Sequence, residues 1–234
     1  MILGENMSLF AIADTHLSFG TNKPMDTFEG WSNYTQRLEN NWNRLVGNED
    51  YVIIAGDISW AMNFDELKAD FAFIDSLKGK KIILKGNHDY WWNTVKKMNE
   101  FLDLNNFKSI SFLYNNAYEF DGFSVCGSRG WLLDSDEQQD EKVLRREVLR
   151  LEMSLDSAKS DEKIVFLHYP PITTNEKCDD ILNLLVKYGI KKCYYGHLHG
   201  AAAKYAVDDS INGVDFKLIS ADRLNFTPYL FKKF

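Results

Sequence analysis

The chain has 234 residues, of which 45% are hydrophobic and 26% charged, and it carries a formal net charge of −7. That much apolar material excludes a disordered chain. The acidic balance, with lysine pairs scattered at Lys80/Lys81, Lys96/Lys97, Lys191/Lys192 and Lys232/Lys233, excludes the basic stripe that duplex nucleic acid requires.

No run is long enough to span a bilayer, and the opening MILGENMSLF lacks the basic start and sustained apolar segment of a secretory signal, so a cytoplasmic protein is expected. Cys126, Cys178 and Cys193 are too isolated for a disulfide framework or a thiolate zinc site and are expected to be reduced and buried. Nothing in the sequence fixes the oligomeric state.

In chain order, short runs rich in β-branched and aromatic residues predict strands at 8–13, 51–55, 81–85, 123–127, 163–167 and 191–195. Between them lie apolar stripes with helical spacing: Trp31, Tyr34, Leu38, Trp42 and Leu45; Phe64, Leu67, Phe71, Ile74 and Leu77; Trp91, Val95, Met98 and Leu102; Leu144, Val148, Leu151 and Leu155. Strands alternating with amphipathic helices predict an α/β fold. The segment 130–160, long and charged, reads as a helical insertion, and its acidic run from Asp134 to Glu141 as a solvated loop feeding a helix N-terminus. After His199, AKYAV, VDFKLIS and FTPYLFKKF read as three strands that complete a second sheet.

The polar residues that follow these runs carry the chemistry. The first run is followed by Asp14 and His16, the second by Gly56 and Asp57, and the third by Gly86, Asn87, His88 and Asp89. The run at 163–167 is followed by His168, and the run at 191–195 by Gly196, His197 and His199. In parallel sheets, ligand groups collect at the carboxyl ends of strands. Taken singly, an Asp-x-His or a Gly-Asp is an ordinary polar turn. All five histidines of the chain, however, fall inside these strand-end motifs. Carboxylates, imidazoles and one amide, with no thiolate, make a mixed oxygen and nitrogen set suited to Mn, Fe, Zn, Co or Mg.

In this order, Asp14-x-His16, Gly56-Asp57, Gly86-Asn87-His88-Asp89, His168 and Gly196-His197-x-His199 resemble the calcineurin-like metallophosphoesterase superfamily, and the match runs from residue 14 to residue 199. The resemblance implies a four-layer sandwich of two mixed β-sheets flanked by helices, as a single catalytic domain over residues 1–234. It also implies two divalent cations, Mn favoured, one held by Asp14, His16 and His199 and the other by Asn87, His168 and His197, with Asp57 bridging. ISWAM follows Gly56-Asp57 in place of the Asp-Arg-Gly of the protein serine/threonine phosphatases, and His88 stands where lipid A precursor hydrolases usually have Arg. Neither specificity is therefore carried over.

The expected activity is hydrolysis of a phosphomonoester or phosphodiester, on a phosphorylated small molecule, by attack of a metal-bound hydroxide. His88, held by Asp89, is expected to stabilise or protonate the leaving oxygen, and Arg129, in GSRGW, to contact phosphate. The alternative is a non-catalytic scaffold or binding protein on the same fold, against which the intact ligand positions argue.

Overall fold

The computed structural model describes residues 7–131 and 141–234. The elements, in order, are β1 (Ser8–Ile12), α1 (Tyr34–Leu45), β2 (Tyr51–Ala55), α2 (Phe64–Ser76), β3 (Lys80–Leu84), α3 (Val95–Asn105), β4 (Ile110–Phe112), β5 (Tyr118–Phe120) and β6 (Phe123–Ser128). They continue as α4 (Glu141–Ser157), β7 (Glu162–Leu167), α5 (Asp179–Lys187), β8 (Lys192–Tyr195), β9 (Ser210–Ile211), β10 (Val214–Leu218) and β11 (Tyr229–Lys233).

The strands form two mixed sheets, ordered β11-β1-β2-β3-β4 and β5-β6-β7-β8-β10-β9. In the first, β1 to β4 run parallel and β11 closes the edge antiparallel to β1. In the second, β6, β7, β8 and β10 run parallel between antiparallel edges β5 and β9.

The inner strands β1, β2, β3, β6, β7 and β8 are buried on both faces over most of their length, which is why they read as continuous apolar runs rather than alternating ones. Period-two geometry then sends neighbouring residues into different cores. Ala11, Ile53 and Ile82 lie side by side in the ladder and face the second sheet, where Val125, Ile164 and Phe166 meet them. Ile12, Ile54 and Ile83 face the other way, onto Leu38 and Trp42 of α1, Leu67 and Phe71 of α2 and Met98 of α3. On the far side of the second sheet, Cys126, Val165, Cys193 and Phe216 form a row that packs on Leu151 of α4 and Ile181 and Leu185 of α5. The order is helix, sheet, sheet, helix, as the resemblance implied. All three cysteines are buried and free of disulfides.

Local signals set the helix starts. Asn63 accepts from Glu66 N at the start of α2, and Thr94 from Lys97 N at the start of α3. Trp31 and Trp91 precede their helices and pack into the core from the loops. Helix α5 and the short strands β4, β5 and β9 were not in the sequence expectation. Within the segment expected to be an insertion, α4 is the crossover between parallel β6 and β7 and packs on β6. The acidic run up to residue 140 lies outside the described residues.

The tail departs from its expectation. Residues Gly200–Tyr205 form a 3-10 helix, so AKYAV is no strand. Only β10 and the short β9 join the second sheet, while β11 returns to the first. The physical reason is the open edge of β1, whose unpaired backbone groups β11 satisfies. Between the two, Ala13 N donates to Ile219 O at 2.9 Å and Ala221 N to Ala13 O at 2.9 Å, tying the sheets together beside the end of β1.

Candidate metal centre

The chain turns sharply just beyond the carboxyl ends of β1, β2 and β8. Asp14, His16, Asp57 and His197 take φ values of 57°, 43°, 52° and 71°. Non-glycine residues rarely adopt this left-handed region, Asp, Asn and His least reluctantly, and such strain gathers at functional sites. The glycines before them serve two purposes. Gly56, at φ 88°, supplies a conformation open to glycine, and a Cβ there would stand 2.7 Å from His168 Nδ1. Gly86 is needed for closeness, since a Cβ would collide with the Asp57 carboxylate and backbone.

These turns bring the strand ends together. Ligand atoms of Asp14, Asp57 and His168, all buried, lie within 4.8 Å of one another. Asp57 presents one oxygen to each side: Oδ2 is 3.7 Å from His16 Nε2, and Oδ1 is 3.5 Å from His168 Nε2. Asn87 Oδ1 stands 2.6 Å from His168 Nε2 and 3.1 Å from His197 Nδ1. Both oxygens of Asp14 accept from His197 N, at 3.1 and 2.9 Å. The ring of His16 meets that of His199 edge-on at 5.3 Å and lies 5.8 Å from that of His88.

The hydrogen bonding of this cluster is short of donors. Nδ1 of His168 faces the carbonyl of Ala55 at 3.1 Å and so carries the ring proton. Its Nε2 is then a lone pair aimed at the oxygens of Asn87 and Asp57. Both ring nitrogens of His16 are buried with no hydrogen-bond partner, and burying such groups unsatisfied is costly unless something else binds them. Burial lowers the pKa of His16 well below the ordinary imidazole value, the neighbouring His199 and His88 adding to it, and burial brings His168 down to about 3. Both are therefore neutral, the form that donates a lone pair. Burial pushes Asp14 well above the usual carboxylate range, with Asp57 adding to it, and lifts Asp57 to about 6. Lone pairs and buried carboxylates crowded together are relieved by a cation, so the residues fit divalent metal ions.

Asp89 corrects one expectation. Its carboxylate accepts from five N–H groups: the backbones of Asp57, Ile58, Ser59 and Gly86 and the indole of Trp91, at 2.7 to 3.4 Å. It clasps the loops after β2 and β3 and does not hold His88. His88 N donates to Asp57 Oδ1 at 2.8 Å, while its ring Nδ1 pairs with the Tyr90 hydroxyl at 3.2 Å. Burial lowers the pKa of His88, with Asp57 opposing.

The Arg129 guanidinium is engaged by the buried Glu147 of α4 at 3.3 Å, which also accepts from Arg150 at 2.6 Å. Its backbone carbonyl accepts from both His168 N and Tyr169 N. Arg129 thus fixes the loop of His168, and its charge favours the ionised Asp57.

Sequence reading missed the surroundings. Trp60 stacks on His16 at 4.9 Å and lies 4.4 Å from His88, and Trp31 meets His199 edge-on at 6.2 Å. Asp70 holds Ser59 Oγ and Phe19 N beside the loop of Asp57. Asp222 accepts from Gly200 N at 2.7 Å; burial lowers the His199 pKa, with Asp222 opposing. The signal for Trp60 was present in ISWAM, directly after Gly56-Asp57.

Among solved structures, a protein of unknown function from Aquifex aeolicus is similar in fold, with 17% identity, 96% coverage of both chains and a TM-score of 0.54. So is the phosphopantetheinyl hydrolase of Mycobacterium tuberculosis, with 15% identity, coverage of 93% of this chain and 90% of that one, and a TM-score of 0.55. A Thermus thermophilus protein follows at 10% identity, 84% and 85% coverage and a TM-score of 0.50. No curated protein matches the chain in sequence. Among the described residues, no helix is long and apolar enough to cross a membrane. The family model described as calcineurin-like phosphoesterase matches residues 7–201, across the strand ends that carry Asp14, Asp57, Asn87, His168 and His197, and the chain belongs to that family.

Proposed function

We propose that the chain is a phosphohydrolase that uses two divalent cations, Mn²⁺ favoured, to cleave a phosphomonoester or phosphodiester of a small molecule. One observation carries this reading above the others. The buried cluster leaves an imidazole lone pair unmatched on each side of Asp57, that of neutral His16, neither of whose ring nitrogens has a hydrogen-bond partner, on one side and Nε2 of His168 on the other. A single cation would relieve one side and leave the other. Asp14, His16 and His199 would hold one ion and Asn87, His168 and His197 the second, with Asp57 offering one oxygen to each. When bound, the ions supply Lewis acidity toward phosphoryl oxygens and lower the pKa of water.

The chain's own residues do the rest. Two carboxylates against two divalent ions leave the site positive, which favours an anionic phosphate. His88 lies on the loop after β3, half-buried and facing Trp60, where it gives a hydrogen bond or proton to the leaving oxygen. Asp89 positions the Asp57 loop through its five N–H contacts. Arg129 positions the loop of His168 and adds positive charge behind the site.

The test is elemental analysis of protein reconstituted with Mn²⁺, together with turnover of a generic aryl phosphate. About two ions per chain and metal-dependent turnover are expected. A stoichiometry that stays at one as metal is raised removes the dinuclear reading, and two bound ions without turnover of any phosphoester removes the enzymatic one.

A further inference from the structure

A cavity of about 600 Å³ opens beside the candidate centre, and His88 and His199 form part of its wall. A phosphoryl group fills only a small part of such a space, which is the size that takes a whole organic molecule. The cavity thus has room for the organic part of a phosphate ester, and its lining is what that part would meet. Phe28, Trp31 and Trp60 are among the walls, and among the described residues Glu29 is the one carboxylate there.

The three rings differ in their packing. Trp31 is 2% exposed and braced by Tyr34 and Phe226, so it forms a rigid floor. Trp60 is fixed through its indole N–H to Met25 Sδ at 3.3 Å and through its stack on His16. Phe28 is 58% exposed, a large apolar ring that folding leaves in water beside the mouth of a crevice. Exposed rings next to a site are material for a ligand contact, and flat faces stack on flat faces. A polyol such as glycerol or a sugar would have to shed its water against these rings with few partners for its hydroxyls. At the rim, the Lys23 ammonium lies 5.0 Å over the Trp60 ring, and with Glu29 it offers one charge of each sign to heteroatoms on the edge of a ring.

We infer that Phe28, Trp31 and Trp60 form a specificity wall for phosphate esters whose organic part carries a flat aromatic or heteroaromatic ring, with polyol phosphates disfavoured. The inference rests on the phosphohydrolase reading for its position and on the cavity for its chemistry. Phe28 is the residue to change, because it lies outside the core and is none of the proposed metal ligands.

The experiment measures two quantities on Mn²⁺-reconstituted wild type, Phe28→Ala and Phe28→Tyr. The first is the ratio of kcat/KM for 2-naphthyl phosphate and for adenosine 5′-monophosphate over that for glycerol 2-phosphate. The second is the Kd of a non-hydrolysable naphthylphosphonate, read by quenching of tryptophan fluorescence, with methylphosphonate as the ringless control.

Wild type should favour the ring-bearing esters by at least about tenfold. Phe28→Ala should lower that ratio and weaken naphthylphosphonate by about fivefold to tenfold, and Phe28→Tyr should restore both. A preference for the nucleotide that Phe28→Ala lowers assigns the ring edge to Lys23 and Glu29, a preference for the naphthyl ester that Phe28→Ala lowers assigns a plain aryl group, and either supports the wall. A naphthyl preference that Phe28→Ala leaves unchanged reports only the better leaving group and counts against it. A wild type that turns over all three esters at similar kcat/KM, or a naphthylphosphonate Kd unmoved by Phe28→Ala, overturns it while leaving the phosphohydrolase reading intact. Ring-dependent phosphonate binding without turnover of any ester supports the wall and removes the phosphohydrolase reading instead.

Discussion

Two buried polar clusters sit at opposite ends of β3, and they are built on opposite plans. Near its start, Lys81 is fully buried, yet its ammonium meets only acceptors: the carbonyls of Leu77, Gly79 and Asp75 and the hydroxyl of Ser109. Beyond its other end, around Asp57, carboxylate oxygens and imidazole lone pairs face one another, and neither nitrogen of His16 has a hydrogen-bond partner. The first cluster is complete in itself and can only hold the fold together. The second is incomplete in a way that has a sign, since what it lacks is positive charge. Buried polarity alone does not mark a functional site; an unmatched balance of donors and acceptors does.

The largest expected effect probes the incomplete cluster. Asp57→Asn keeps the size of the side chain but removes the charge shared between the two histidines. It should strip bound Mn²⁺ and abolish measurable turnover, checked by elemental analysis and aryl phosphate hydrolysis on the same sample. The metal-free variant should melt no lower than metal-free wild type, because the amide removes a carboxylate buried beside another. A variant that keeps both ions and its activity would move the bridge to another residue.

His88→Ala comes next. For an alkyl phosphate, whose leaving oxygen needs a proton, the loss in kcat should reach ~10²-fold or more, while a nitrophenyl ester should suffer far less. Equal losses on both esters at matched metal content would assign His88 to the phosphoryl oxygens instead.

The complete cluster should break differently. Lys81→Met leaves several carbonyls without a donor and should lower unfolding stability by about 2–4 kcal/mol in urea titrations, with metal stoichiometry unchanged. Burial lowers the Lys81 pKa to about 8, with Asp75 opposing. Unfolding therefore takes up a proton between that value and the free-lysine range near 10.5, and wild-type stability gains as pH rises through that window. The gap between wild type and Lys81→Met should widen from pH 8 to pH 10.

The smallest effect concerns Arg129, which is bound to Glu147. Arg129→Ala should lower kcat/KM by about tenfold or less, the value of a charge acting from behind the site. A hundredfold loss with the fold intact would put the guanidinium on the phosphate itself.

Much of this arrangement was legible before any coordinates. Strands buried on both faces advertise themselves as unbroken β-branched runs, and the residues that end them are the ones that meet. What eluded the sequence was direction. Asp89 follows His88 in the chain, but in a tight turn neighbouring side chains diverge, and Asp89 points down into backbone amides instead. Arg129 looked like a phosphate ligand because its neutralising partner, Glu147, lies on a helix past a segment with no motif. Phe28, Trp31 and Trp60 share no period, since three rings brought together from two separate loops have none to show. Both Val214–Leu218 and Tyr229–Lys233 read as strands, but only an inventory of open sheet edges assigns them to different sheets.

The antiparallel pairing of β11 on β1 also sets a timetable. Ser8 is in register with Lys233, so one of the two ladders that grip β1 joins residues from the far ends of the described chain. Contacts that close so long a loop form slowly and after local ones. The parallel core of β2 and β3 with their helices can assemble early, whereas the edge behind Asp14 and His16 stays open until the final strand docks. Helix and sheet should therefore form before the Asp14 and His16 side of the candidate metal site is complete, a lag that refolding followed by circular dichroism and by Mn²⁺ binding in parallel would measure.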